Sequence, residues 1–145
     1  MDFYQLLDNH LLINSLAAWV AAQVIKTILD AVIHKKLDIR RLFGDGGMPS
    51  GHSATVTALS VTAALEYGLA SPFFAMTAIV GIIVMHDAMG VRLEAGKHAK
   101  ILNQLMASLS GEVPPEDALK EFLGHTPLQV CFGALLGLCV ALLLG

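Results

Sequence analysis

The residues best suited to chemistry lie in one octapeptide, Gly46-Gly47-Met48-Pro49-Ser50-Gly51-His52-Ser53. Pro49 cannot continue a preceding helix and Ser50 is a favoured N-cap, so a helix is predicted to open at Gly51. The first amides of a helix have no backbone partner and carry partial positive charge, which makes an anion site. Gly51 has no side chain to hold a phosphate away from the backbone. His52, in the first turn, adds a group able to donate or accept a proton near pH 7. An ordinary capped helix start with a half-exposed histidine would use the same residues.

A second segment, His86-Asp87-Ala88-Met89-Gly90-Val91-Arg92 followed by Glu94-Ala95-Gly96-Lys97-His98, carries the complementary groups. Arg92 offers a planar fork suited to phosphate. His98 is about one and a half helical turns further on, so a break near Gly96 would help the two converge. Otherwise Arg92 is a snorkelling cation paired to Asp87 or Glu94, and His98 is a solvated helix residue. Asp87, Glu94 and His86 or His98 could also ligate a metal, but their spacing is loose and no His-Glu-x-x-His pattern occurs, so neither metal nor cofactor is expected. Lys26 stands inside an apolar stretch, where ionisable residues are costly and face a bundle interior or cavity. Gln23 and Asp30, one turn to either side, share its face. Lys26 either pairs with Asp30 or points toward the anion site.

These groups need a scaffold, and composition says which. The chain has 145 residues, 55% hydrophobic and only 14% charged, with a net charge of -3. Soluble domains carry about 25% charged residues. The small net charge argues against a nucleic-acid partner. A membrane-spanning helix needs about 20 mainly apolar residues. Four stretches meet this: Leu11 to Ile33, Gly51 to Ala70, Phe73 to Val91 and Pro127 to Gly145. The expected fold is an all-α, polytopic membrane helix bundle forming a single membrane domain. The start of the chain lacks the basic region of a cleavable signal peptide. Cys131 and Cys139, about 12 Å apart on one helix, are too distant to bridge.

Ser71-Pro72 joins the second and third spans tightly. The other connections, His34 to Ser50 and Arg92 to Thr126, are long. Of nine Lys and Arg, all but Lys26 fall in these two: Lys35, Lys36, Arg40, Arg41, Arg92, Lys97, Lys100 and Lys120. The positive-inside rule puts both connections on the cytoplasmic face of the membrane, expected to be a bacterial inner membrane, and both termini outside. Ala95, Ala99, Leu102, Leu105, Met106 and Leu109 form the stripe of an amphipathic cytoplasmic helix ended by Ser110-Gly111. Pro114-Pro115 opens a short helix to Leu123, and Thr126-Pro127 caps and starts the last span. Gly133 and Gly137 form a Gly-x-x-x-Gly match, a candidate homodimer face.

Pro49-Ser50-Gly51-His52-Ser53 matches the second motif of the type 2 phosphatidic acid phosphatase and vanadium haloperoxidase superfamily, and Arg92 followed after five residues by His98 matches the spacing of its third. The chain most resembles the small divergent bacterial and plant branch of that superfamily. The likeness extends through Gly46-Gly47-Met48-Pro49-Ser50, Asp87-Ala88, Gly90-Val91-Arg92, Ala95-Gly96, Leu102-Asn103 and Leu123-Gly124-His125-Thr126-Pro127. It implies metal-free hydrolysis of a phosphate ester, with His98 as nucleophile and His52 as general acid. Arg92, Ser50 and the Gly51 amide would hold the phosphate. The first motif, a Lys and an Arg-Pro pair, has no match. Lys26 is the preferred stand-in, with Lys36, Arg40 or Arg41 as alternatives. Val91 replaces the usual Ser. Leu102 stands where an Asp should orient the nucleophile, with Asn103 one residue late; Asp87 and Asn103 are supporting candidates.

The leading expectation is therefore a membrane phosphatase acting on a lipid phosphate or pyrophosphate at the cytoplasmic interface. A non-catalytic anionic-lipid or phosphate-binding protein, or a subunit stabilising a membrane complex, would keep Ser50, Gly51 and Arg92 but tolerate loss of His98. A small transporter would use Lys26 and Asp30 as pathway residues, but no inverted repeat is evident.

Overall fold

The computed structural model describes residues 3–35, 47–110, 118–119, 121 and 124–145. Arg40, Arg41 and most of the short helix expected from Pro114 to Leu123 lie outside the described residues. Among the described residues a 3-10 turn at Phe3–Leu6 is followed by five α-helices: α1 (His10–His34), α2 (Gly51–Tyr67), α3 (Pro72–Met89), α4 (Val91–Ser110) and α5 (Pro127–Leu144). Each of the first three and the last opens on a side-chain cap. Asn9, Ser50, Ser71 and Thr126 accept from the amides of Leu12, Ser53, Phe74 and Gln129. Thr126 and Gln129 complete a capping box, and Pro127 supplies the pre-set first turn of α5.

α2 is the hub, packing against α1, α3 and α5, while α4 packs chiefly against α3. The distribution of side chains is that of a membrane bundle. The fully buried core is alanine: Ala18, Ala22, Ala54, Ala58 and Ala141. Polar residues join it, with Asn14 donating to Thr62 at 3.1 Å between α1 and α2. The large apolar side chains of Ile79, Ile82, Ile83, Leu135 and Leu142 point outward. In water this arrangement would waste the hydrophobic effect; in lipid, association rests on close packing of small residues and interhelical hydrogen bonds.

Three helices have the length and hydropathy of spans: α1, α5, and α3 with α4 counted as one stretch. α2, at 17 residues, is shorter, about 25 Å against roughly 30 Å of hydrocarbon. It still runs from one end of the bundle to the other. Its start meets the start of α5, where the Ser50 amide donates to the Gln129 carbonyl at 3.0 Å. Near its far end Glu66 pairs with His10 at the start of α1, at 2.7 Å. The expected end at Ala70 comes early because Gly68 takes a φ of 81° and leaves the helix.

The Gly-x-x-x-Gly motif is used within the chain. A Cβ at Gly133 would run into the Ser50 carbonyl oxygen and lie 2.9 Å from Ser53 Cβ; one at Gly137 would run into the Ala54 carbonyl oxygen. The glycine face of α5 is therefore covered by α2. α4 is helical as its stripe predicts, and continuous through Gly96. The break falls earlier, at Gly90, whose φ of -99° and ψ of -92° end α3.

Candidate functional site

The start of α2 is built from below. Ser50 is fully buried. Its hydroxyl accepts from the Ser53 amide at 3.3 Å and from the Ser53 hydroxyl at 3.1 Å. It shapes the helix end rather than standing open to solvent. The bare side of Gly51 faces Trp19, whose Cδ1 would lie 3.5 Å from an added Cβ, an ordinary contact. Trp19 thus packs on the first turn of α2. His52 is half-buried beside them.

Lys26 reaches this loop. It is 6% exposed, and its ammonium donates to Gln23 Oε1 at 2.7 Å. Its aliphatic arm lies against Gly47, where a Cβ would sit 3.3 Å from Cγ and Cδ. The arm of Lys26 and the octapeptide loop are therefore neighbours. Asp30, one turn on, is 3.2 Å from His34 Nδ1. α1 continues eight residues past Lys26, about 12 Å, so Lys26 meets the loop roughly two turns before the end of that helix.

The α3–α4 junction brings Arg92 to the same end. Arg92 Nε donates to Asp87 Oδ2 at 2.8 Å, with both side chains nearly half exposed. Behind it, Gly124 approaches so closely that a Cβ would overlap the backbone of Arg92 and Leu93. The His125 amide donates to the Ala88 carbonyl at 2.9 Å. His125 itself is 2% exposed, and its ring meets that of His52 with centroids 5.5 Å apart and planes at 78°. The segment before α5 thereby links the turn that carries Arg92 to the residue that opens the chemistry of α2.

Two candidates are placed elsewhere. His98 is exposed on α4, six residues beyond Arg92 on the unbroken helix. Glu94, one turn before it, has its carboxyl held below the usual carboxylate range by the Lys97 ammonium through hydrogen bonding and charge, with a smaller contribution from His98. Asn103 clamps the segment before α5. Its side-chain amide donates to the Leu119 carbonyl and to Glu121 Oε1, and its oxygen accepts from the Leu119 amide, all at 2.9 Å. Sequence reasoning did not single out His125. The available signal was a histidine just before an N-cap, in a polar segment on the same side of the membrane as His52.

An apolar cavity of about 400 Å³ adjoins the loop. Ile25 and Leu29 of α1, Met48 and Pro49, and Phe132, Leu135, Leu136 and Cys139 of α5 line it. It runs between two membrane helices with the residues preceding Ser50 at one end.

Fold and side-chain distribution define a polytopic helical membrane protein with a polar cluster at the start of its central helix. Within that class the chain belongs to the divergent PAP2 family, whose sequence profile matches residues 7–140. It is similar to an uncharacterised membrane protein, YuiD, of Bacillus subtilis (strain 168), with 43% identity covering 97% of this chain and 96% of that one. No solved structure matches it.

Proposed function

We propose that the protein is a phosphatase of the cytoplasmic membrane that hydrolyses a lipid phosphate or pyrophosphate at the cytoplasmic interface. The observation that carries this reading is the meeting of Lys26 with the loop before α2: the arm of this buried lysine packs on Gly47, three residues before the cap of a helix with a histidine in its first turn. Helix amides and a desolvated ammonium both favour a phosphate there, and Arg92, released from Asp87, adds a bidentate fork. The apolar cavity starting at Met48 and Pro49 supports a lipid rather than a water-soluble ester, because it offers a tail a path from the polar loop along α1 and α5.

In this reaction the His98 imidazole attacks phosphorus, forming a P–N bond as the P–O bond to the leaving group breaks. His52 gives its proton to the departing oxygen. Water then attacks the phosphohistidine with His52 as base, releasing phosphate and restoring both rings. Catalysis requires α4 to carry His98 to the phosphate. The second reading, a phosphate-binding protein without turnover, is favoured by the exposed position of His98.

The test is phosphate release from a panel of lipid phosphates by protein in mild detergent without metal, comparing wild type with His52→Ala and His98→Ala. Vanadate-sensitive release lost in both variants supports the two-histidine phosphatase. Release surviving His98→Ala moves the nucleophile elsewhere. Vanadate binding without release from any substrate supports the binding protein.

A further inference from the structure

We propose that His125 is a positioning residue that fixes the His52 ring through their aromatic contact. This rests on the reading of His52 as the proton donor.

His125 is held independently of His52. Its amide is tied to Ala88 at the end of α3, Gly124 before it is wedged on the backbone of Arg92 and Leu93, and Thr126 after it caps α5. The first turn of α5 is in turn bonded to Ser50 through the Gln129 carbonyl. These ties pin the backbone on both sides of a ring that is itself 2% exposed. Against this fixed ring stands the half-buried His52, with centroids 5.5 Å apart and planes at 78°. An edge-to-face pair of this kind is a favoured aromatic geometry.

A histidine side chain has a broad second torsion, which a packed ring narrows. A ring contact orients both protonation states, which a residue that gives up and regains a proton in each cycle requires. The contact is too close for a phosphate to lie between the rings, so His125 acts through His52. Because Gly124, the residue before it, is wedged on the Arg92 turn, it sets the acid and the phosphate fork in register.

The experiment uses the full chain in detergent micelles with ¹³C-labelled histidine rings. The order of the His52 ring is read by relaxation in wild type, His125→Phe, His125→Leu and His125→Gln, alongside vanadate affinity and the kinetics of phosphate release. Leu and Gln both remove the ring, so one still reports if the other does not fold. The expected result is a rigid His52 in wild type and His125→Phe, and a mobile one in His125→Leu and His125→Gln. Vanadate affinity should stay within about two-fold and KM with it, while kcat falls roughly 10- to 100-fold, part of what a positioned acid contributes, with Phe restoring most of the loss. A mobile His52 in wild type overturns the proposal. So does a rigid one in folded Leu or Gln variants, or recovery by Gln and not by Phe. The ring measurement needs no substrate: a wild type that releases no phosphate yet shows this pattern of order sinks the phosphatase reading and leaves the positioning contact standing.

Discussion

The arm of Lys26 lies on Gly47, with Cγ and Cδ each 3.3 Å from where a Cβ would stand. The side chain of a lysine within a membrane helix thereby packs on the loop that opens α2. Lys26→Met keeps the arm and removes the charge. A hydrogen bond to a charged group contributes about 1.5–3 kcal/mol, so vanadate affinity should fall roughly 10- to 100-fold with little change in unfolding midpoint. Unchanged affinity in a titration followed by ⁵¹V resonance would remove Lys26 from the site.

Gly133 and Gly137 let α5 touch the backbone of α2 at Ser50 and Ala54. Alanine at either should cost about 1–3 kcal/mol through overpacking, read as a lower midpoint of unfolding in mixed micelles. Gly133→Ala should also weaken vanadate binding, since its added methyl pushes on the cap of α2. A lower dimer fraction by cross-linking, with no loss of midpoint, would return the motif to an interface between copies.

Two glycines near the cluster should behave oppositely. Gly124 has a φ of 82° and abuts the Arg92–Leu93 backbone, whereas Gly51 is helical and a Cβ added there would lie 3.5 Å from Trp19 Cδ1. Gly124→Ala meets both strain and overlap and should destabilise by about 2 kcal/mol or more. Gly51→Ala should leave stability unchanged or raise it by up to about 1 kcal/mol, as alanine outdoes glycine in helices. Equal losses in thermal unfolding would mean that the described close approach at Gly124 does not hold.

Orientation can be read directly. Cys131 and Cys139 are exposed and free, so a variant with both changed to Ala can carry a single new cysteine at Lys97 or at Tyr4. A membrane-impermeant thiol reagent should label Lys97→Cys only in inverted vesicles and Tyr4→Cys only in right-side-out ones. The reverse pattern would put the cluster on the outer face and exclude a cytoplasmic substrate.

The caps at Ser50 and Thr126 were legible in the sequence because they are local: each bonds to an amide three residues on, and Pro127 fixes its own φ. Long apolar runs gave the bundle for the same reason, since burying backbone in lipid demands helices whatever the packing. The octapeptide could be read as a capped helix start because its geometry is contained in consecutive residues.

What the tertiary structure decided is which distant groups meet. Sequence spacing could not choose between Asp30 and the octapeptide loop for Lys26, because the approach to Gly47 depends on how α1 and α2 pack. It left Gly133 and Gly137 as a candidate homodimer face, whereas in the fold α2 packs on these two glycines. It sought a break at Gly96, and the chain leaves the helix at Gly90, leaving His98 exposed along α4. It passed over His125, whose contact with His52 spans 73 residues and exists only because Gly124 can reach the Arg92 turn. Residue type and short-range spacing set what each group can do; the close packing of small residues in lipid sets which of them act together.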